Sequence, residues 1–258
     1  MIKKIIQKAA RFLFVPFAYN SKWYFKVKDI YYTSSAEYLF RFLNLSEKHT
    51  NLGENVIVDI GAADGMTSLF FKRRVKNSRV YVFEPNPLMD EKITQNLGSE
   101  EGVIVRKLAL SNRRGVLDFH RTVNNLSSSI LSIDNDQLNK QPLAHQQLLK
   151  TADKLEVIAT TLDDELANEN SILCIKIDVQ GYELKVLEGG LHTLQKTKFV
   201  LIEMNNHNLY NKGCQYYEVD SFLREHHFKL ADILVSYRTA NRVLEYDAIY
   251  EKIITEQS

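Results

Sequence analysis

The residues whose types and spacing could do chemistry fall into two sets. The first is Val56-Ile57-Val58-Asp59-Ile60-Gly61-Ala62-Ala63-Asp64-Gly65, followed by Glu84 at the end of the apolar run Val80-Tyr81-Val82-Phe83, 23 residues past Gly61. The second is a pair of carboxylates that each close an apolar run, Asp178 after Ile172–Ile177 and Glu203 after Phe199–Ile202, with His207 shortly beyond. Glycine at 61 and 65 lets the chain turn with φ > 0 and lets a ligand press against the main chain. A helix starting near Met66 would aim its free N–H groups at the same ligand. An acid at the position of Glu84 is about where a carboxylate grips a ribose in nucleotide-binding α/β folds. The first set therefore reads as a nucleotide-type cofactor site.

The chemistry of the loop narrows the cofactor. The fingerprint G-x-G-x-x-G fails, because position 63 is Ala and position 66 is Met, and no G-x-x-x-x-G-K-[ST] occurs in the chain. Asp64 beside the turn would repel a pyrophosphate. S-adenosylmethionine, with its sulfonium, α-ammonium and ribose diol, suits an acidic loop. A glycine-rich turn of some other α/β enzyme is the alternative, since such folds serve many functions. Methyl transfer to an alcohol needs alignment and removal of the acceptor proton. Asp178 is the first candidate base, with Glu203 and His207 behind it. Each has a plainer role: Asp178 as the cap of a helix near Gly181, Glu203 as an anchor for a backbone amide, His207 as a surface residue. A hard cation on Asp178, Glu203 and Asn205 is chemically reasonable, but spacing alone does not support it and no metal is expected.

Open α/β sheets build their sites at the carboxyl ends of strands, so these sets require a parallel sheet. The β-branched run 56–60 has the composition of a strand buried on both faces. Further strands are expected at 80–84, at 103–105 running on into 108–111, at 157–161, 172–178 and 199–203, and in the tail near 228–235 and 247–254. Helices are expected at 66–75, at 88–97 behind Pro85-Asn86-Pro87, at 181–190 with a glycine stop, and at 216–226. Ala109 and Ser111 then fall near the adenine. Val116–His120 alternates like a half-exposed strand, Asn124–Ser129 is a polar loop that could border a polyol or serve as a connection, and 134–152 reads as a surface insertion or lid.

At 258 residues, with 45% hydrophobic and 25% charged residues, the chain suits one large α/β domain with a small extension. A net charge of +1 argues against nucleic acid as a partner. Cys174 and Cys214 have neither disulfide nor zinc spacing. Residues 1–28 carry seven basic residues and no acid. Ile2, Ile5, Ile6, Ala9 and Leu13 share one helical face opposite Lys4, Lys8 and Arg11. This pattern is that of a membrane-surface helix, or equally of a terminal helix packed on the domain or on a second subunit. The division expected is a basic helical extension over 1–50 and a catalytic domain over 51–258, cytoplasmic, with peripheral contact on the inner membrane face through residues 1–20.

Val58–Gly65 with Phe83-Glu84-Pro85-Asn86-Pro87, Thr161-Leu162-Asp163-Asp164 and Lys176-Ile177-Asp178-Val179-Gln180-Gly181-Tyr182-Glu183 resembles the FkbM methyltransferase family, in order, over about 55–235. The resemblance implies a Rossmann-like class I α/β fold with a mostly parallel seven-stranded sheet and helices on both faces. It further implies S-adenosylmethionine as cofactor, held by Asp59, Gly61, Asp64 and Glu84, with Gly65 of the same turn a further candidate contact, and O-methylation of a hydroxyl on a sugar, glycan or related metabolite. Gln180 departs from the family's K-I-D-V-E-G pattern, which has Glu there. That departure keeps open a second reading, a non-catalytic module of the same fold that binds a membrane or protein partner.

Overall fold

Six residues, Asn55–Ile60, are all buried and form β1 at the centre of the sheet. In this computed structural model, residues 35–50, 53–141, 143–206, 209–238 and 241–253 are described. Strands β2 (Ser78–Phe83), β3 (Val103–Arg106), β7 (Ile172–Ile177), β8 (Thr197–Asn205), β9 (Phe228–Arg238) and β10 (Val243–Lys252) complete a seven-stranded sheet in the order β3-β2-β1-β7-β8-β10-β9. The first five of these are parallel, and β10 runs antiparallel to both β8 and β9.

Alternation along β1 assigns its two faces. Val56, Val58 and Ile60 pack with Leu162, Val186, Leu187, Leu194, Val219 and Leu223 on one side. Ile57 packs with Tyr38, Phe42, Leu69, Phe71, Ile93 and Leu97 on the other. Helices therefore cover both faces, as an all-buried parallel sheet requires. Helix Ser35–Ser46 carries Tyr38, Leu39 and Phe42 into this core. Residues 35–46 thus share the packed body of the catalytic domain, whereas the basic segment 1–28 lies outside the described residues.

The register brings the chemically interesting ends level. Ile60 pairs with Phe83 of β2 and with Ile177 of β7. Gly61 N–H donates to the Phe83 carbonyl at 2.9 Å, and Asp178 N–H to the Ile60 carbonyl at 3.1 Å. Gly61, Glu84 and Asp178 consequently stand side by side at one edge. The run expected as a single strand over 103–111 is two. The chain leaves the main sheet after Arg106 and re-enters as β4 (Ala109–Leu110) in a second sheet with β5 (Gly115–Thr122) and β6 (Thr151–Thr160), ordered β4-β6-β5. Between β5 and β6, the segment expected as insertion or lid forms helices Asn135–Leu138 and Leu143–Leu149. Leu138 and Leu149 pack on a small cluster of Ile133, Leu209 and Tyr210.

Candidate active site

A cleft opens over the carboxyl ends of β1, β2 and β7. Leu108, Ala109, Leu110 and Phe119 supply apolar lining, followed by Glu84, Pro85, Gly61 and Ala63, and then by Asp178, Val179, Gln180 and Tyr182. The loop after β5 contributes Asn125, Leu126, Ser128, Ser129 and Ile130. The polar loop at 124–129 thus borders the cleft. Glu84 and Asp178 carry the only ionisable carboxylates among these lining residues, and no Lys, Arg or His is among them.

Backbone geometry explains the turn after β1. Gly61 has φ +74, and a Cβ there would lie 1.9 Å from the Asp178 carbonyl oxygen, so only glycine fits. Ala63 takes φ 50, in the left-handed region where a dinucleotide fingerprint would place its second glycine. That conformation turns the Ala63 N–H onto Glu84 Oε2 at 2.8 Å, while the Asn86 N–H meets Oε1 at 2.8 Å. Glu84 is 7% exposed. Burial pushes its carboxyl up to about 7, against the pull of the two backbone donors.

Two acids expected to touch the cofactor face elsewhere. Asp59 is fully buried on the Ile57 face of β1. Its Oδ2 accepts the Ser68 hydroxyl at 2.6 Å, and its Oδ1 lies 3.5 Å from the Lys176 ammonium. Asp64 Oδ1 accepts the Met66 N–H at 3.1 Å, a helix-start role, and its carbonyl accepts from Asn96 Nδ2 at 2.8 Å. Both acids shape the turn instead of lining the cleft. Gly65 serves the turn too, with φ +80 and Leu97 against the space a Cβ would fill. Ala109 lines the cleft. Ser111 is fully buried and meets it through the Tyr182 hydroxyl, 3.0 Å from its Oγ.

At the β7 end, Asp178 does not cap the following helix. That helix, Glu183–Glu188, has no side-chain cap; Glu183 Oε1 instead ties down the loop before it, accepting the Val179 and Gly181 N–H groups at 3.2 and 3.0 Å. Asp178 lines the cleft, with Lys176 Nζ 3.3 Å from Oδ2 and Gln180 Nε2 2.9 Å from Oδ1. Lys176 also donates to the Gly61 carbonyl at 3.3 Å. Burial disfavours its charge, but Asp178 and Asp59 outweigh burial and hold the amine above its usual range. Among the described residues, Glu203 anchors no backbone amide. It accepts from Gln180 Nε2 at 2.8 Å, and burial, reinforced by Asp178 and Glu245, drives its carboxyl well above the usual range. Asp247 lies opposite it on β10 and is pushed up to about 7 by burial and by Asp178. His207 lies outside the described residues.

The sequence pattern left Lys176, Gln180 and Tyr210 without roles. Lys176 carried a signal, a lone cation inside Ile172–Ile177 two residues before Asp178 and so on the same side of the strand. Tyr210 carried none. Its hydroxyl donates to Gln180 Oε1 at 2.8 Å across thirty residues of sequence.

The strand order, the antiparallel seventh strand and the glycine turn beside Glu84 define a Rossmann-like class I methyltransferase fold. A cleft whose described lining residues include two carboxylates and no cationic side chain fits a cationic cofactor. Residues 59–230 match the Methyltransferase FkbM domain, and the chain belongs to that family. It is an S-adenosylmethionine-dependent methyltransferase. Among similar proteins is the 2-O-methyltransferase NoeI of Sinorhizobium fredii, 31% identical over 69% of this chain and 73% of that protein. Methyltransferase sdnD of Sordaria araneosa is 28% identical over 54% of this chain and 62% of its own length. Hexuronic acid methyltransferase AglP of Haloferax volcanii is 24% identical over 59% and 56%. The chain thus spans less than two thirds of the latter two.

Proposed function

We propose that the chain methylates a hydroxyl oxygen of an uncharged sugar unit, with Asp178 as the base. The observation that carries this reading is the placement of Asp178 beside Gly61, in the same cleft as Glu84, with no cationic side chain among the described lining residues. Bound S-adenosylmethionine supplies an electrophilic methyl group on its sulfonium. Leu108, Ala109 and Leu110 offer an apolar seat for the adenine, Glu84 a carboxylate for the ribose hydroxyls, and the Gly61 backbone a close approach for the remainder. Holding an acceptor in line contributes ~7–11 kcal/mol in well-aligned systems. Asp178 accepts the hydroxyl proton at its carboxylate, and Lys176 behind it keeps that carboxylate in place.

Similarity to a 2-O-methyltransferase supports a hydroxyl as the target, and similarity to a hexuronic acid methyltransferase supports a sugar unit. Glu84 and Asp178 would repel an acceptor carboxylate, which favours an uncharged sugar. The balanced net charge supports an acceptor other than nucleic acid. The basic residues of 1–28 support a cytoplasmic enzyme resting on an anionic membrane face through residues 1–20.

The test is transfer of label from methyl-labelled S-adenosylmethionine to a panel of neutral and uronic saccharides. Alkali-stable label on a neutral sugar is the expected result. Alkali-labile label on a uronate, the behaviour of an ester, would overturn the assignment.

A further inference from the structure

The geometry points to Gln180 as a positioning residue: both hydrogens of its side-chain amide are donated to carboxylates, one to Asp178 and one to Glu203, so that one neutral group holds two opposed acids. The distances are 2.9 Å to Asp178 Oδ1 and 2.8 Å to Glu203 Oε2. The other end of the amide is the oxygen: Oε1 lies 2.8 Å from the Tyr210 hydroxyl, whose one proton it shares with the Ser127 carbonyl at 3.0 Å. Turning the amide over would set its oxygen against the Asp178 carboxylate, which has no hydrogen to offer it. Burial holds the Tyr210 hydroxyl well above its usual range, so it remains a donor at every working pH.

The backbone is committed to this arrangement. Gln180 has φ 58, a conformation that disfavours side-chain-bearing residues, and the Ser129 hydroxyl lies 2.9 Å from its carbonyl and 3.2 Å from that of Val179. Holding a long polar side chain in such a place is explained by the bonds it makes at its tip.

The surroundings show what the amide does. Asp178 faces Lys176 from its own strand, Asp59 from β1, Glu203 from β8, Asp247 and Glu245 from β10, Glu183 from the next helix, and the hydroxyls of Tyr38 and Tyr210. Lys176 is the cation among these groups. Glu245 lies close enough to Glu203 to help raise its carboxyl. A glutamate at 180 would add another carboxyl between Asp178 and Glu203 and require a further proton in the array. Glutamine supplies two donors and no charge. It keeps Asp178 an acceptor facing the cleft and ties its orientation to Tyr210 and to the loop bearing Ser129. The consequence for catalysis rests on the methyl-transfer reading; the measurement does not.

The test uses the full chain with 13C-carboxyl-labelled aspartate, the residue 178 signal being assigned by its loss in Asp178→Asn. Carboxyl titrations are compared in wild type, Gln180→Leu and Gln180→Gly. Leucine keeps the bulk and the positive φ while removing the donors; glycine removes the donors and relieves the positive φ, so a shift common to both variants does not come from backbone strain. If the amide positions Asp178, the midpoint of its titration moves to higher pH in both variants, by about one unit, the size of a lost hydrogen bond to a charged group. Identical midpoints in all three proteins overturn the proposal, whatever the fate of the methyltransferase assignment. If Gln180→Leu fails to fold, Gln180→Gly alone decides.

Discussion

Replacing Glu84 with glutamine should stabilise the protein while weakening its cofactor binding. The carboxyl is 7% exposed, and burial raises it from 4.5 to about 7. Between those values the folded state holds a proton that the unfolded chain has already lost, so the stability of the free protein falls as pH rises through this window. A rise from 4.5 to about 7 corresponds to about 3 kcal/mol, fully lost above the folded value. Glutamine cannot ionise. It keeps the volume but offers one oxygen to two backbone donors, Ala63 and Asn86, where one unmatched N–H costs about 1 kcal/mol. The variant should therefore lie within about 1 kcal/mol of wild type at pH 5 and be more stable by about 2 kcal/mol at pH 8.5. Binding should move the opposite way, because hydrogen bonds from ribose hydroxyls to a carboxylate contribute about 1.5–3 kcal/mol, or about 10- to 150-fold in affinity. Urea unfolding without ligand at pH 5, 7 and 8.5, and calorimetry with S-adenosylhomocysteine, measure the two effects. An unchanged pH slope together with unchanged affinity would refute the reasoning.

Other perturbations follow from the same geometry. In wild type, S-adenosylhomocysteine should bind more tightly at pH 8 than at pH 6, because the ribose diol favours the ionised Glu84, and isothermal titrations across that range would show it. Lys176→Met should destabilise the fold by about 3–5 kcal/mol, since it leaves the fully buried Asp59 without its counter-charge, and an unchanged urea midpoint would contradict this. Gly61→Ala should be destabilised by at least about 1–3 kcal/mol from φ alone and should lose cofactor binding, because the new methyl group meets the Asp178 carbonyl. Deleting residues 1–28 should abolish co-flotation with anionic vesicles, while the intact chain floats with them and not with neutral ones.

The fold was legible where burial is two-sided. Asn55–Ile60 and Ile172–Ile177 read as near-continuous apolar runs because helices cover both faces of the sheet. The start of β6 was not legible. Thr151–Lys154 is exposed, and its partners on β5, Arg121 for Asp153 and Asp118 for Lys154, lie too far back in the chain for spacing to pair them. Nor was the break after Arg106. Val103–Leu110 reads as one strand, and only the second sheet decides where it divides.

At the site, spacing led to Gly61, Glu84 and Asp178 because each ends or follows an apolar strand. Asp59 could have been set apart by alternation, since it shares the side of Ile57 and so faces the core. Asp64, directly before Gly65 and a helix, had the pattern of a helix start. Gln180 read as a defect because two of its three partners, Glu203 and Tyr210, lie 23 and 30 residues further along the chain. The amide bridge exists only once β7 and β8 are in register and φ at 180 is positive.

The most direct test of the central assignment is calorimetric titration of the purified chain with S-adenosylhomocysteine and, separately, with NAD. One-site micromolar binding of S-adenosylhomocysteine, abolished in Gly61→Ala, with no heat from NAD, is the predicted result. Absence of S-adenosylhomocysteine binding, or tighter binding of the dinucleotide, would contradict the account.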